Sequence, residues 1–207
     1  MSYSIESLSN ACYTGTCCLI NKFDIRNEKQ LAFVESRIVI GKTEELQKHP
    51  FSGNFDFTHY KAIHRFLFGD IYDWAGEIRT IDMSKKGTRF TKASQIEEMA
   101  GRIFGRLNRM NNYVGLDHNS FVDEITDFYC STNMLHPFRE GNGRTQRAFL
   151  QQLVQNAGYE ISYAMMDPDE LMIATIQAAN GVTDSLHSIL MKHIVRVGRN
   201  EPQNVGR

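Results

Sequence analysis

The sequence predicts an all-α fold, a helical bundle interrupted by one short β-hairpin. Three observations carry that prediction. Apolar residues recur at three- and four-residue intervals over most of the chain, the spacing of one helix face turned to a core. Helix start and stop signals, Asp167-Pro168 and the glycines Gly158 and Gly198, fall at the ends of such stretches. Only between 79 and 91 does the pattern change to the alternation of a strand.

Taken in order, the helical spacing covers about 28–47 and about 56–71. The segment RTIDMSKKGTRFT at 79–91 then places β-forming residues on either side of a Lys-Gly turn and reads as a hairpin. Ser94 and Glu97 make an S-x-x-E capping box, and Ile96, Met99, Ile103, Leu107 and Met110 form the stripe of a helix over about 94–110. Further helices are predicted at about 118–134, at 142–157 closed by Gly158, at 169–179 opened by Asp167-Pro168, and at 184–197 closed by Gly198. The polar tail from Asn200 to Arg207 is expected to fray. There is no internal repeat, low-complexity tract or linker, so residues 1–207 are expected to form a single domain with its core at about 24–197.

Composition narrows the function. With 207 residues and 42 % hydrophobic content the chain can bury one sizeable core. A net charge of −1 with interspersed signs leaves no basic footprint for nucleic acid, and a protein or nucleotide partner is favoured. No apolar run reaches the roughly 18 residues of a membrane span, and MSYSIESLSN lacks the charged and apolar regions of a secretory signal. A cytoplasmic protein with no membrane contact is expected. Cys12, Cys17, Cys18 and Cys130 show no metal-ligand spacing and read as reduced thiols.

The segment HPFREGNGRTQR at 136–147 is hard to justify as packing. Its glycines let backbone N–H groups approach an anion, a helix beginning there carries partial positive charge, and arginines at fixed offsets grip further phosphates. Glu140 offers a carboxylate for a divalent metal, and His136 a side chain that exchanges a proton near neutral pH. Pro137 discourages helix through His136, so the motif is expected to be a helix–loop–helix turn with Phe138 as its apolar anchor. Arg144 and Arg147, three apart, share a helix face. The set suits nucleotidyl or phosphoryl transfer from a polyphosphate.

The same residues match the Fic signature HPFx[D/E]GN[G/K]RxxR at every specified position: His136, Pro137, Phe138, Glu140, Gly141, Asn142, Gly143, Arg144 and Arg147. The resemblance extends through YTGT-x4-NKF at 13–23, NFDFTHYKAIHRFLFGDIYDWAGEIRTIDM at 54–83 and NGVTD at 180–184. It implies a Fic-type helical bundle whose hairpin is a flap that docks the target through Thr80, Ile81, Asp82, Thr88, Arg89 and Phe90. It also implies transfer of AMP from ATP to a Tyr, Ser or Thr hydroxyl of another protein. In that reading His136 is the general base, Glu140 holds Mg²⁺ or Mn²⁺, and Gly141, Asn142 and Gly143 cradle phosphate. Asn142 orients the α-phosphate, and Arg144 and Arg147 hold the β- and γ-phosphates. Adenine contacts are expected near Met172, Ile173 and Asn180. Gly143 separates the chain from Doc-like phosphotransferases, which typically carry lysine there.

Lys85, Lys86, Arg89 and Lys92 make a local basic patch on the hairpin, and Arg139, at an unspecified motif position, is expected to be solvated. Two decoys fall away. Gly41-Lys42-Thr43 mimics the end of a Walker A loop, but Ser36 stands where its first glycine is required. His59 and His64 are misaligned for shared metal ligation and read as packing or capping residues. Many Fic proteins carry an inhibitory [S/T]xxxE[G/N] helix, and no complete copy occurs here. Ser94 to Glu98 precedes Met99, and Ser120 to Glu124 precedes Ile125. The resemblance therefore implies a toxin restrained by a separate small antitoxin bearing that helix, with a type II topoisomerase subunit as a candidate target. A translocated effector is the alternative.

Overall fold

Seven α-helices and two two-stranded ribbons make up the described part of the chain, residues 11–85 and 87–197 of a computed structural model. The helices are α1 (Glu28–Lys48), α2 (Phe57–Phe68), α3 (Ile96–Arg109), α4 (His118–Leu135), α5 (Asn142–Asn156), α6 (Pro168–Ala179) and α7 (Asp184–His193). Short polar side chains start four of them. Asn27, Asp56, Asp117 and Asp167 each accept a backbone N–H of the following first turn, satisfying donors that lack intrahelical partners.

The all-α prediction holds, with α5 as the pivot: it packs on α2 and α4 and touches α1, while α4 also meets α3, α6 and α7. Phe149 of α5 gathers Phe55, Tyr60, Phe104 and Phe128 at ring-centroid distances of 5.3–5.8 Å. Offset and edge contacts of this kind add to the burial of large apolar surfaces. Gln146 ties α5 to α4 with a polar clasp, donating to the Tyr129 carbonyl at 2.8 Å and the Thr132 hydroxyl at 2.7 Å. α5, which follows the motif loop, is therefore fixed both by aromatic packing and by polar bonds to α4.

Two local expectations are corrected. The stretch beginning at Ser94 opens as a 3-10 turn over Ala93–Gln95, and α3 starts at Ile96 with no side-chain cap. The cap comes instead from the hairpin: Asp82 accepts the Ala93 N–H at 2.7 Å, so the Ser94–Glu97 box is not formed. At the other end, α7 stops at His193, and Ile194–Arg196 forms strand β4, antiparallel to β3 (Tyr159–Ile161) with Ile161 opposite Ile194 and Tyr159 opposite Arg196. Ile194, Val195 and Val197 are β-branched, and this strand preference wins once β3 offers a ladder.

The predicted hairpin is present but short, pairing β1 (Ser84–Lys85) with β2 (Thr88–Arg89) around Gly87 at φ 83°. Residues 1–10, Lys86, Gly198 and the polar tail expected to fray lie outside the described residues. Gly41, Lys42 and Thr43 lie inside α1, so no phosphate loop exists there, and Lys42 pairs with Asp70 at 3.2 Å. Among the described residues no helix is long and apolar enough to cross a membrane.

Candidate active site

The site is a loop held between two helices. His136 ends α4 with left-handed backbone angles, φ 41° and ψ 59°, and Pro137 removes the next N–H that the helix would need. Phe138 is fully buried and stacks on His64 at 3.8 Å and on Tyr60 at 5.8 Å, as its anchoring role requires. Asn142 closes the loop: its side-chain oxygen accepts the Phe138 N–H at 2.9 Å and its amide donates to the Phe138 carbonyl at 2.8 Å. The Asn142 side chain is thus bonded within the loop, and what remains at this position for an anion is the backbone end of α5.

Gly141 caps α5 at φ 81°, and a Cβ there would lie 2.4 Å from the Phe68 ring, so only glycine fits. No side chain caps α5, which leaves its first turn open to an anion. Gly143 is exposed, and a Cβ on it would meet Arg147 Nη1 at 3.4 Å. The glycine adds no side chain beside the Arg147 guanidinium.

The motif's charged residues have separate surroundings. Glu140 accepts the Gly141 N–H at 2.9 Å and faces Arg144 at 3.4 Å. Arg144 pairs with the buried Glu35 of α1 at 2.6 Å and lies over the Phe68 ring at 4.7 Å, and the second Glu35 oxygen accepts the Tyr72 hydroxyl. Arg147, further along the same helix, lines a cavity of about 460 Å³ together with His136, Gly143, Tyr129, Tyr163 and the flap residues Lys85, Thr88 and Phe90. A second cavity, of about 500 Å³, is lined by Ser36, Ile40, Glu44 and Gln47 of α1 and again by Arg144, Arg147 and Tyr163. Arg147 belongs to both.

His136 is 8 % exposed, and Phe90 stacks on its ring at 3.7 Å with an interplanar angle of 7°. Neither ring nitrogen meets hydrogen-bond geometry. Burial, then the charges of Lys85 and Arg79, push its pKa down to about 3, with the Asn133 backbone opposing. The ring is neutral at physiological pH.

His64 was expected to pack or cap, and it does more. Its Nδ1 accepts the Gly76 N–H at 2.8 Å, which places the ring proton on Nε2, and Nε2 then donates to the Glu140 carbonyl at 3.0 Å. Burial pushes its pKa down to about 4, preserving that neutral tautomer. His59 packs as expected, with Nε2 against Gln152 Oε1 at 3.2 Å.

Arg139 is corrected from solvated to buried, at 7 % exposure. Its charge acts on the Cys12 thiol, which burial pushes up while the guanidinium pulls it down, and burial prevails. Of the expected adenine residues, Met172 lines the cavity, whereas Ile173 is 54 % exposed and Asn180 ends α6 by bonding the Ile176 carbonyl at 2.8 Å. Successive residues of a helix turn by about 100°, and Ile173 falls on the solvent side of α6. Thr175, Ile176 and Ala179, which follow Met172 at helical spacing on the wall, and Leu171 beside it were missed. In the flap, Thr88 and Phe90 line the cavity, Thr80 and Arg89 are exposed, Ile81 is half-buried and lends its carbonyl to Arg79, and Asp82 caps the turn at Ala93. Lys86 of the basic patch lies outside the described residues.

Known proteins share this arrangement. The profile of the Fic/DOC family matches residues 54–154. VbhT, a protein adenylyltransferase of Bartonella schoenbuchensis, is 36 % identical over 201 residues, covering 96 % of this chain. The chain spans only 42 % of the length of VbhT. A probable protein adenylyltransferase, Fic of Escherichia coli, is 30 % identical over 91 % of this chain and 94 % of its own length. Among solved structures, BepC of Bartonella tribocorum with bound AMPPNP superposes with a TM-score of 0.87 at 27 % identity, covering 91 % of this chain and 98 % of that one. A Fic domain from Bartonella quintana with bound ADP gives the same TM-score and identity over 90 % of this chain and 95 % of that one. Motif, loop geometry, bundle and near full-length similarity agree, and the chain belongs to the Fic/DOC family.

Proposed function

We infer that the chain is a protein adenylyltransferase, moving AMP from ATP to a hydroxyl side chain of another protein. The observation that carries this reading is one cavity in which His136, the open first turn of α5 and Arg147 meet beneath a hairpin. Its relatives named as adenylyltransferases and its neighbours holding AMPPNP or ADP support ATP as co-substrate.

In this reading the triphosphate lies along the N-terminus of α5, with Arg144 and Arg147 on its β- and γ-phosphates. The target hydroxyl attacks the α-phosphorus; a new P–O bond forms as the α–β bridging P–O bond breaks, and pyrophosphate leaves. His136 takes the hydroxyl proton. Its ring is already neutral, and the adjacent triphosphate charge favours the imidazolium that forms. Glu140 suits Mg²⁺ or Mn²⁺, which take one or two carboxylates and complete their shell with phosphates and water. Among the described residues no cluster of three His, Cys, Asp or Glu competes for that role. A bound ion there would offset charge on the departing pyrophosphate. Doc-like phosphorylation is disfavoured because proteins of that type typically carry lysine where this chain has Gly143.

The finer reading is a cytoplasmic toxin held in check by a small antitoxin. The cavity beside 35–46 of α1 would receive the partner's glutamate on Arg147, and a type II topoisomerase subunit is the first target to assay. A translocated effector is the second reading, favoured by BepC and its relatives, which are VirB-translocated. The test is transfer of label from α-labelled ATP into lysate protein. His136→Ala should cut the rate by ~10²–10⁴-fold while AMPPNP binding stays within about twofold of wild type. A variant retaining more than about a tenth of the rate removes His136 as the base.

A further inference from the structure

We propose that Arg79 is a positioning residue of the transfer reaction: its buried side chain fastens both feet of the flap to the His136 carbonyl, making target docking and base placement one rigid unit. The inference rests on the adenylyl-transfer reading above.

Arg79 is 5 % exposed. Its Nε donates to the His136 carbonyl at 2.8 Å, Nη1 to the Ile81 carbonyl at 2.6 Å and Nη2 to the Thr91 carbonyl at 2.5 Å. Its own backbone N–H donates to the Pro137 carbonyl at 2.9 Å. Ile81 lies at the foot where the chain enters the hairpin and Thr91 at the foot where it leaves, so one planar group spans both and reaches the motif as well. Thr91 adds a second rivet, giving its N–H and its hydroxyl to the Met134 carbonyl at 3.0 Å each. Its neighbour Phe90 then lays its ring on His136.

His136 is therefore gripped twice by the flap region, at its carbonyl through Arg79 and at its ring through Phe90. Its backbone sits in the left-handed region that a residue with a Cβ adopts reluctantly, and such a conformation persists only when its surroundings over-determine it. A guanidinium suits the task because its donors fan out in one plane and stay charged. A lysine ammonium concentrates its donors at one point and cannot span carbonyls on three segments. The hairpin's own ladder is short, pairing Ser84 with Arg89 and Lys85 with Thr88, so its placement on the motif loop rests on contacts such as these.

The test uses Arg79→Lys and Arg79→Met in the whole chain. In hydrogen exchange without nucleotide, amides over 80–91 and 134–138 should exchange about tenfold faster or more, with α5 and α7 unchanged. At saturating ATP, label transfer from α-labelled ATP into lysate protein should fall on the order of 10²-fold, the cost of a misplaced reacting group, with the KM for ATP within about twofold. Lysine should recover part of what methionine loses. The acid limb of the rate should move to higher pH in Arg79→Met, because a positive charge facing His136 is gone while Lys85 remains. Unchanged flap exchange, a rate within about threefold of wild type, or a KM for ATP that rises in step with the lost rate overturns the proposal. If methionine prevents folding, the lysine variant decides. If wild type transfers no label, the adenylyl-transfer reading fails, and the exchange measurement alone settles whether Arg79 fastens flap to loop.

Discussion

His136 illustrates how environment sets chemistry at a single residue. An exposed histidine is half protonated near its ordinary pKa of 6.5, whereas burial against Phe90, with Lys85 and Arg79 nearby, holds this ring at about 3. The kcat/KM profile reports the free enzyme and kcat the nucleotide complex. Transfer should therefore show an acid limb in kcat/KM for ATP well below 6.5, and a kcat limb at higher pH, because bound triphosphate favours the imidazolium. A pH–rate series checks the order of the two limbs; a kcat limb lying below that of kcat/KM contradicts it. Glu140 gives a second expectation. Glu140→Ala should lower metal-dependent turnover, and excess chelator should silence the wild type, measured as pyrophosphate release.

At the scale of elements, α5 depends on the turn before it. Gly141→Ala would push a Cβ to 2.4 Å from the Phe68 ring at a φ of 81°. We expect a loss of about 1–3 kcal/mol, or roughly 2–4 °C of Tm per kcal/mol in a chain of this size. Gly87→Asn is the comparison: it has a similar φ of 83° and carries the same backbone strain, but nothing lies within 4 Å of its added Cβ, so its melt should fall less than that of Gly141→Ala. The helices were legible from the sequence because their apolar period repeats over several turns. The ends were less so. β4 was absorbed into α7 because three residues cannot declare a period against a preceding helix, and the partner strand that rescues them is far away in the chain. Ser94 and Glu97 spelled a cap, but Asp82 of the flap arrived first. The motif loop could be read because its sequence demands are local, whereas the burial of Arg139, the tautomer of His64 and the α6 wall depend on contacts across the fold.

For the molecule as a whole, the finer toxin reading predicts a physiological outcome. Expression of the intact chain in a host without an antitoxin should arrest growth, and His136→Ala should relieve it, as colony counts would show. Harmless expression of a catalytically intact chain moves the assignment to a translocated effector. A partner that docks beside α1 should lose its hold when Arg147 becomes alanine, since the charge-assisted bond to its glutamate is gone.

Arg147 stands in the wall between the two cavities, and this has a thermodynamic consequence. Any occupant of the α1 side that claims its guanidinium lowers the affinity of the other side for triphosphate, and the factor must be the same in both directions. High ATP would then loosen the restraining protein as much as that protein weakens ATP, so the set point of restraint would follow the energy charge of the cell.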